Sequence, residues 1–252
     1  MKLISIASSS KGNCTIVSDG EVNILIDCGT SAKQVALKSE LDSFDALFIS
    51  HEHSDHIGGA GVMGRKYNMP IYIHEDSHKA IKKGHFKNCD VHFWAPGEDI
   101  TIGKLTIHNF TSRHDSVYSY GFIVESEGKK LGYLTDSGSI SRLMRENLTG
   151  CDAYFLEADY EHDTLMNHED YDPLLKERIS SDWGHLSNDQ IVKFLEELDI
   201  ADSQPEFIVF GHLSDKTNSP EIVLKKVKKT FPKWDMKNIH IAPLTSKNIL
   251  TL

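Results

Sequence analysis

His51-Glu52-His53-Ser54-Asp55-His56 places four candidate metal donors within six consecutive residues. A strand-like run, Asp45 to Ser50, ends directly before it, and Ile57-Gly58-Gly59 opens a helix directly after it. In an extended chain, residues two apart face the same way, so His51 and His53 can grip one metal ion from the strand end. The chain then turns, and Asp55 and His56 can face a second ion beside the first. Neutral imidazole and carboxylate are the usual ligands of zinc and similar divalent ions. A polar turn that holds three histidines by chance is the weaker account of so dense a run.

Two ions need more donors than this run supplies. His114 follows the strand-like stretch Leu105 to Phe110, and Asp136 follows Leu131 to Leu134. His185 sits in Gly184-His185-Leu186-Ser187, and His212 in Phe210-Gly211-His212-Leu213-Ser214. A polar residue just past a buried strand is a normal place for function. Taken singly, each reads as a surface or capping residue. Their order and context beside residues 51–56 promote them to ligand candidates. Asp27 closes the strand Val22 to Ile26 and precedes Cys28-Gly29. It reads as a carboxylate that orients the ligand loop through hydrogen bonds.

The rest of the chain bounds what surrounds these residues. It has 252 residues, 39% hydrophobic and 25% charged, so a packed core is available and disorder is excluded. No apolar run approaches the roughly 18 residues of a membrane helix, and Met1 to Cys14 does not read as a signal peptide. Cys14, Cys28, Cys89 and Cys151 form no CxxC pair. That argues against a disulfide scaffold or a thiolate zinc knuckle, and it suits a reducing cytosol; the expected location is cytoplasmic. The net charge of −10 argues against nucleic-acid binding when taken alone. It is unevenly spread: Cys151 to Asp202 holds 15 acidic and three basic residues, and the remainder carries +2.

Short β-branched runs recur from Leu3 to Ala7 through Cys14 to Val17, Val22 to Ile26, Ala46 to Ile49 and Ile71 to Ile73. More strands are expected at 91–93, 105–110, 120–124, 131–134, 153–156, 207–210 and 239–241. Helical patterns lie at 31–39, 58–67, 139–147, 171–179, 188–198 and 220–230, with Ser187 or Asn188 and Ser219-Pro220 as helix starts. No linker is visible, so residues 1–252 read as one α/β domain. Two packed sheets with helices outside is one economical arrangement.

The ordered set Asp27, His51-x-His53-x-Asp55-His56, His114, Asp136 and His212 resembles the metallo-β-lactamase-fold hydrolases. Ser8 to Cys14, Asp27-Cys28-Gly29, His114-Asp115, Gly184 to Asn188 and His212-Leu213-Ser214 resemble the YycJ/VicX (WalJ) subgroup, which is similar to RNase Z-type nucleases. The resemblance implies a four-layer αββα sandwich with two divalent ions (zinc, manganese or iron) at one edge. By position, His51, His53 and His114 would hold the first ion, and Asp55, His56 and His212 the second, with Asp136 bridging. His185, Asp55 and Glu157 would be the catalytic residues, with His185 protonating the leaving group and Glu157 orienting it. The implied activity is a 5′-to-3′ exonuclease on double-stranded DNA with a 5′ phosphate, in which a metal-bridging hydroxide attacks phosphorus. Only 49 positions separate Asp136 from His185, which leaves no room for a large inserted domain. Asp159-Tyr160-Glu161-His162-Asp163 departs from the subgroup's Asn-His-Asp, which puts a substrate role for His162 in question.

Other readings remain open at the level of sequence. A small-molecule phosphodiesterase or a thioesterase of the same fold uses the same metal ligands. A non-catalytic metal-binding regulatory or adaptor protein would more readily have lost one of them. The Ser8 to Asn13 loop could meet a phosphate through its backbone N–H groups, or be an ordinary hairpin. Lys225, Lys226, Lys228 and Lys229 read as a solvated helix face, because Val223, Leu224 and Val227 form a core stripe. Trp94, Trp183 and Trp234 read as packing residues, with Trp183 distinguished by its place two residues before His185. The oligomeric state is not legible.

Overall fold

A computed structural model describes residues 1–198, 203–244 and 248–252. Asp199 and Asp202 of the acidic stretch lie outside the described residues. Among these residues the strands form two seven-stranded sheets. The first contains β1 (Lys2–Ser9), β2 (Gly12–Ser18), β3 (Asn23–Ile26), β4 (Ala46–Phe48), β5 (Ile71–Ile73) and β6 (Val91–Phe93) in that spatial order. The second runs from its edge strand β7 (Asp99–Ile102) through β8 (Leu105–Thr111), β9 (Tyr120–Ser126), β10 (Lys129–Leu134), β11 (Ala153–Glu157) and β12 (Phe207–Gly211) to β13 (Ile239–Ile241). The last strand, β14 (Leu250–Thr251), returns to pair with β1 in the first sheet.

The burial pattern explains the layering. Strands that read as continuous apolar runs are buried on both faces. One face of each sheet meets the other: Val17, Ile24, Ile26 and Phe48 pack with Ile107, Phe122, Tyr133, Phe155 and Val209. The outer face of the first sheet packs Ile16, Leu25 and Leu47 against Val35 of α1 (Ala32–Ser39) and, beyond the short α2 (Ser54–Ile57), Met63 of α3 (Ala60–Tyr67). A further short helix, α4 (Glu75–Ala80), follows β5. On the second sheet's outer face, Tyr154, Leu156 and Phe210 are covered by Met144 of α5 (Arg142–Leu148). Beyond α6 (His162–Met166) and α7 (Pro173–Ser180), α8 (Asn188–Glu197) adds Phe194 and α9 (Pro220–Thr230) adds Val223 and Val227. The layers are therefore helix, sheet, sheet, helix, as the resemblance implied.

Strand direction places the site. Strands β3 to β6 are parallel, and so are β10 to β13. Antiparallel pairing of β8 with β9 and of β9 with β10 points β8 the same way as β10. The chain thus leaves β4, β8, β10, β11 and β12 at one edge, where ligands of open α/β sheets gather. The two sheets touch there: Tyr120 at the start of β9 donates its N–H to Ser50 O, just past β4, at 3.1 Å.

Some elements differ from the sequence reading. The helix expected from residue 58 begins instead at Ala60, because the Gly59 N–H is given to Cys28 O at 2.8 Å and Gly59 lies so close to Thr30 O that a Cβ there would be 1.9 Å from it. The helix expected from Tyr171 begins at Pro173, with the Asp172 side chain capping Leu175 N–H. Helices α2, α4 and α6 and strands β7 and β14 were not foreseen, each being too short to show a period.

Candidate metal centre and active site

Asp27 organises the first half of the site. Its Oδ1 accepts the Ser50 N–H at 2.8 Å, and its Oδ2 accepts the Ser50 hydroxyl at 2.7 Å. His56 Nδ1 also lies 2.7 Å from Oδ2. A carboxylate only accepts here, so the His56 ring proton belongs on Nδ1 and Nε2 keeps its lone pair. The Ser50 hydroxyl, its proton committed to Asp27, accepts from His51 Nδ1 at 3.0 Å. His51 Nε2 is likewise left as a lone pair, buried and without a hydrogen-bond partner. One carboxylate thereby sets two imidazole tautomers, the orienting role read from its place after β3.

Glycines hold this unit against α2. Cys28 donates its N–H to His56 O at 2.8 Å, and Gly29 donates to Asn13 O at 2.7 Å. A Cβ on Gly29 would lie 1.5 Å from Asp55 O, so only glycine fits. The Asn13 side chain then reaches inward, with Nδ2 3.1 Å from Asp55 Oδ2 and 2.9 Å from His56 Nε2.

Residues distant in sequence complete the cluster. His114, after β8, holds its Nδ1 3.0 Å from Gly184 O, which turns Nε2 inward to 3.2 Å from His53 Nδ1. Asp136, after β10, is buried with its carboxylate between histidines. Oδ2 lies 3.2 Å from His56 Nε2, and Oδ1 3.4 Å from His212 Nε2. His212, after β12, is anchored by its N–H to Ser8 Oγ at 2.8 Å. Asp27, Asp136 and His212 all adopt left-handed backbone, at φ 59°, 54° and 54°. Such strain costs about 1 kcal/mol or more at each residue and persists where surrounding structure over-determines it.

Glu157 ends β11 fully buried. Its Oε2 accepts Ser137 N–H at 2.9 Å, which ties down the Asp136 turn, and Oε1 lies 2.7 Å from His185 Nδ1. Burial opposes a charge on His185, but the carboxylates of Glu157 and Asp159 outweigh it and hold the imidazole up at about 9. Burial likewise works against ionising Glu157, but the His185 charge overrides it and holds that carboxyl below its usual range.

All nine residues read from sequence as site residues meet at this edge. Donor atoms of His51, His53 and His114 lie within 4.8 Å of one another, as do those of Asp55, His56 and His212, and those of His51, His56 and Asp136. The residues fit divalent cations. His51 Nε2, Asp136 Oδ2 and both His212 ring nitrogens are buried without hydrogen-bond partners, a costly state that a shared cation relieves. The arrangement opens into a cavity of about 280 Å³, lined by His53, Asp55, His114, Asp136, His185 and His212 on one side.

The Ser8 to Asn13 segment is a β-hairpin turn, from which Ser10 reaches the cavity wall. His162 is exposed at the start of α6 and does not line the cavity, so its questioned substrate role has no support. Trp94 and Trp234 are core residues, whereas Trp183 is 57% exposed. Lys226 is paired with Glu161 and Asp189, and Val223 and Val227 form the buried stripe of α9. Sequence reading missed Asn13, Ser50 and Ser8 as supports, because polar side chains at strand ends carry no periodic signal.

Residues 22–212 match the β-lactamase superfamily domain family. The chain belongs to this family. Exodeoxyribonuclease WalJ of Streptococcus pneumoniae serotype 2 is 32% identical over 226 residues, which cover 86% of this chain and 83% of that protein. Exodeoxyribonuclease YycJ of Bacillus anthracis is 30% identical over 229 residues, covering 88% and 86%. Among solved structures, the metallo-β-lactamase fold protein YhfI of Bacillus subtilis superposes with a TM-score of 0.74 at 19% identity, covering 99% of both chains. As a β-lactamase superfamily member with this donor set, the protein is a metal-dependent hydrolase.

Proposed function

We propose that this protein is a two-metal phosphodiesterase, a 5′-to-3′ exonuclease acting on duplex DNA with a 5′ phosphate, working in the cytosol as one domain of residues 1–252. The observation that carries the reading is the His185–Glu157 pair, 2.7 Å apart, in which His185 lines the cavity that holds the donor cluster and the buried Glu157 stands behind it. The two relatives named exodeoxyribonucleases support the nucleic-acid substrate.

His51, His53 and His114 would hold one ion and Asp55, His56 and His212 the other, with Asp136 shared. Zinc, manganese or iron suits this all-N and O donor set, which contains no thiolate. When bound, the ions supply Lewis acidity that activates water and stabilises negative charge on phosphoryl oxygens. The chain's own residues do the rest. Glu157 fixes the proton on His185 Nδ1 and turns Nε2 away from itself. His185, carrying a proton on Nε2, donates it to the departing oxygen. Asp27 keeps the tautomers of His51 and His56 in the ligating form throughout.

His185→Ala is expected to keep its metal and lose roughly 10²–10⁴-fold in turnover. Asp136→Ala is expected to lose both metal and turnover. The test is release of mononucleotides from 5′-phosphorylated duplex DNA, with Mn²⁺ and separately with Zn²⁺, beside metal analysis of each variant. Full activity in His185→Ala removes the acid role. No digestion by fully metallated wild type turns the reading to a small phosphodiester or thioester.

A further inference from the structure

The helix α7 has no buried residue, yet one of its faces is directed at the site. Leu175, Arg178 and Ile179 line the cavity together with Tyr171, which precedes the helix. Leu175, Arg178 and Ile179, spaced by three and four, form one stripe of the helix. A helix that buries nothing in the core, but turns apolar side chains and a guanidinium toward a catalytic cavity, is built to meet a ligand.

Arg178 is the one lysine or arginine among the described residues lining the cavity. Its Nε donates to Asp115 Oδ2 at 2.5 Å. A guanidinium has five N–H donors, and this contact engages one. Both terminal nitrogens therefore remain for an anion, on a side chain that is 65% exposed. Asp115 directly follows His114, so the same contact registers the guanidinium to the donor cluster. The helix is registered to the other side of the site as well. His185 donates its N–H to Ile179 O at 2.9 Å. Gly184 approaches so closely that a Cβ would lie 2.3 Å from Arg178 O. The fork is held ready at low entropic cost, which suits bidentate recognition of a phosphate.

We propose that Arg178 binds a non-scissile phosphate of the substrate strand, next to the phosphate that is cut, while Tyr171, Leu175 and Ile179 receive the sugar and base between them. Arg178 is a specificity residue in this scheme; Asp115 is its positioning residue. The inference rests on the nuclease reading and assigns a subsite within it.

The test pairs protein and substrate changes. Metal-loaded wild type, Arg178→Gln and Arg178→Lys are compared on 5′-phosphorylated duplexes. Each duplex carries one neutral methylphosphonate at the first, second or third linkage, and a further duplex has a 5′-hydroxyl end. With wild type, loss of charge at one position beside the cut is expected to reduce kcat/KM about tenfold or more, mainly through KM. With Arg178→Gln the same change is expected to cost less than about threefold, and Arg178→Lys to recover part of the penalty. Equal penalties in wild type and Arg178→Gln at every position overturn the inference, even if Arg178→Gln is slow, because a merely structural role through Asp115 and His114 leaves the penalties unchanged. Failure of wild type to cut any of these duplexes overturns the nuclease reading instead.

Discussion

Asp27 illustrates how much one buried side chain carries at the residue scale. It accepts from the Ser50 N–H, the Ser50 hydroxyl and the His56 ring at once. Asp27→Ala strands the Ser50 N–H, which costs about 1–3 kcal/mol. It also frees two ligand tautomers, so metal affinity is expected to fall about 10–100-fold. Competition with a chromogenic chelator measures the second effect, and thermal unfolding of the metal-free protein the first. Unchanged affinity removes the orienting role. This role was legible in sequence only because the 51–56 run had already raised the prospect of a metal. Asn13 makes comparable contacts with Asp55 and His56 but lies in a small-residue turn that carries no such context.

At the scale of elements, the decisive contact is between the turn after β3 and α2. Gly29→Ala drives a Cβ into Asp55 O, a backbone atom that cannot step aside. The helix must move and carry Asp55 and His56 with it. Gly29→Ala is expected to lose metal and most activity and to destabilise by roughly 3 kcal/mol or more. Gly150 has open space around its Cβ position, and its φ of 78° leaves only backbone strain. Gly150→Ala is expected to cost about 1–2 kcal/mol while keeping its metal. Equal metal content in the two variants argues against the close approach. Sequence pattern located the strands and α8 well, because apolar periodicity and the Ser187 cap are local signals. It started the third helix two residues early, at 58, because the group that takes the Gly59 N–H, Cys28 O, is remote in sequence.

For the whole molecule, the site is a seam between two sheets. His51 and Asp27 come from the first sheet, and His114, Asp136, Glu157 and His212 from the second. A cation held across this seam ties the halves together, and stability is linked to occupancy. At free metal about 1,000 times its Kd, the gain is about 4 kcal/mol, or a rise in Tm of roughly 10 °C for a chain of this size. Calorimetry with and without a chelator measures it. Asp136→Ala is expected to unfold at the same temperature with or without the chelator; a full metal-dependent shift in that variant would place the cation elsewhere.

Residue type and local spacing carry the chemistry: which donors are present, how His51 to His56 are spaced and that the remaining candidates sit at strand ends or in short loops. Those are properties of residue type and local period, which the unfolded chain already possesses. Three-dimensional packing alone brings Asn13 to His56 and stands Arg178 over the cavity, pinned by Asp115. These pairs lie 43 and 63 positions apart. Their distances are set by burying one face of each sheet against the other, a collective event with no signature in any short window of the chain.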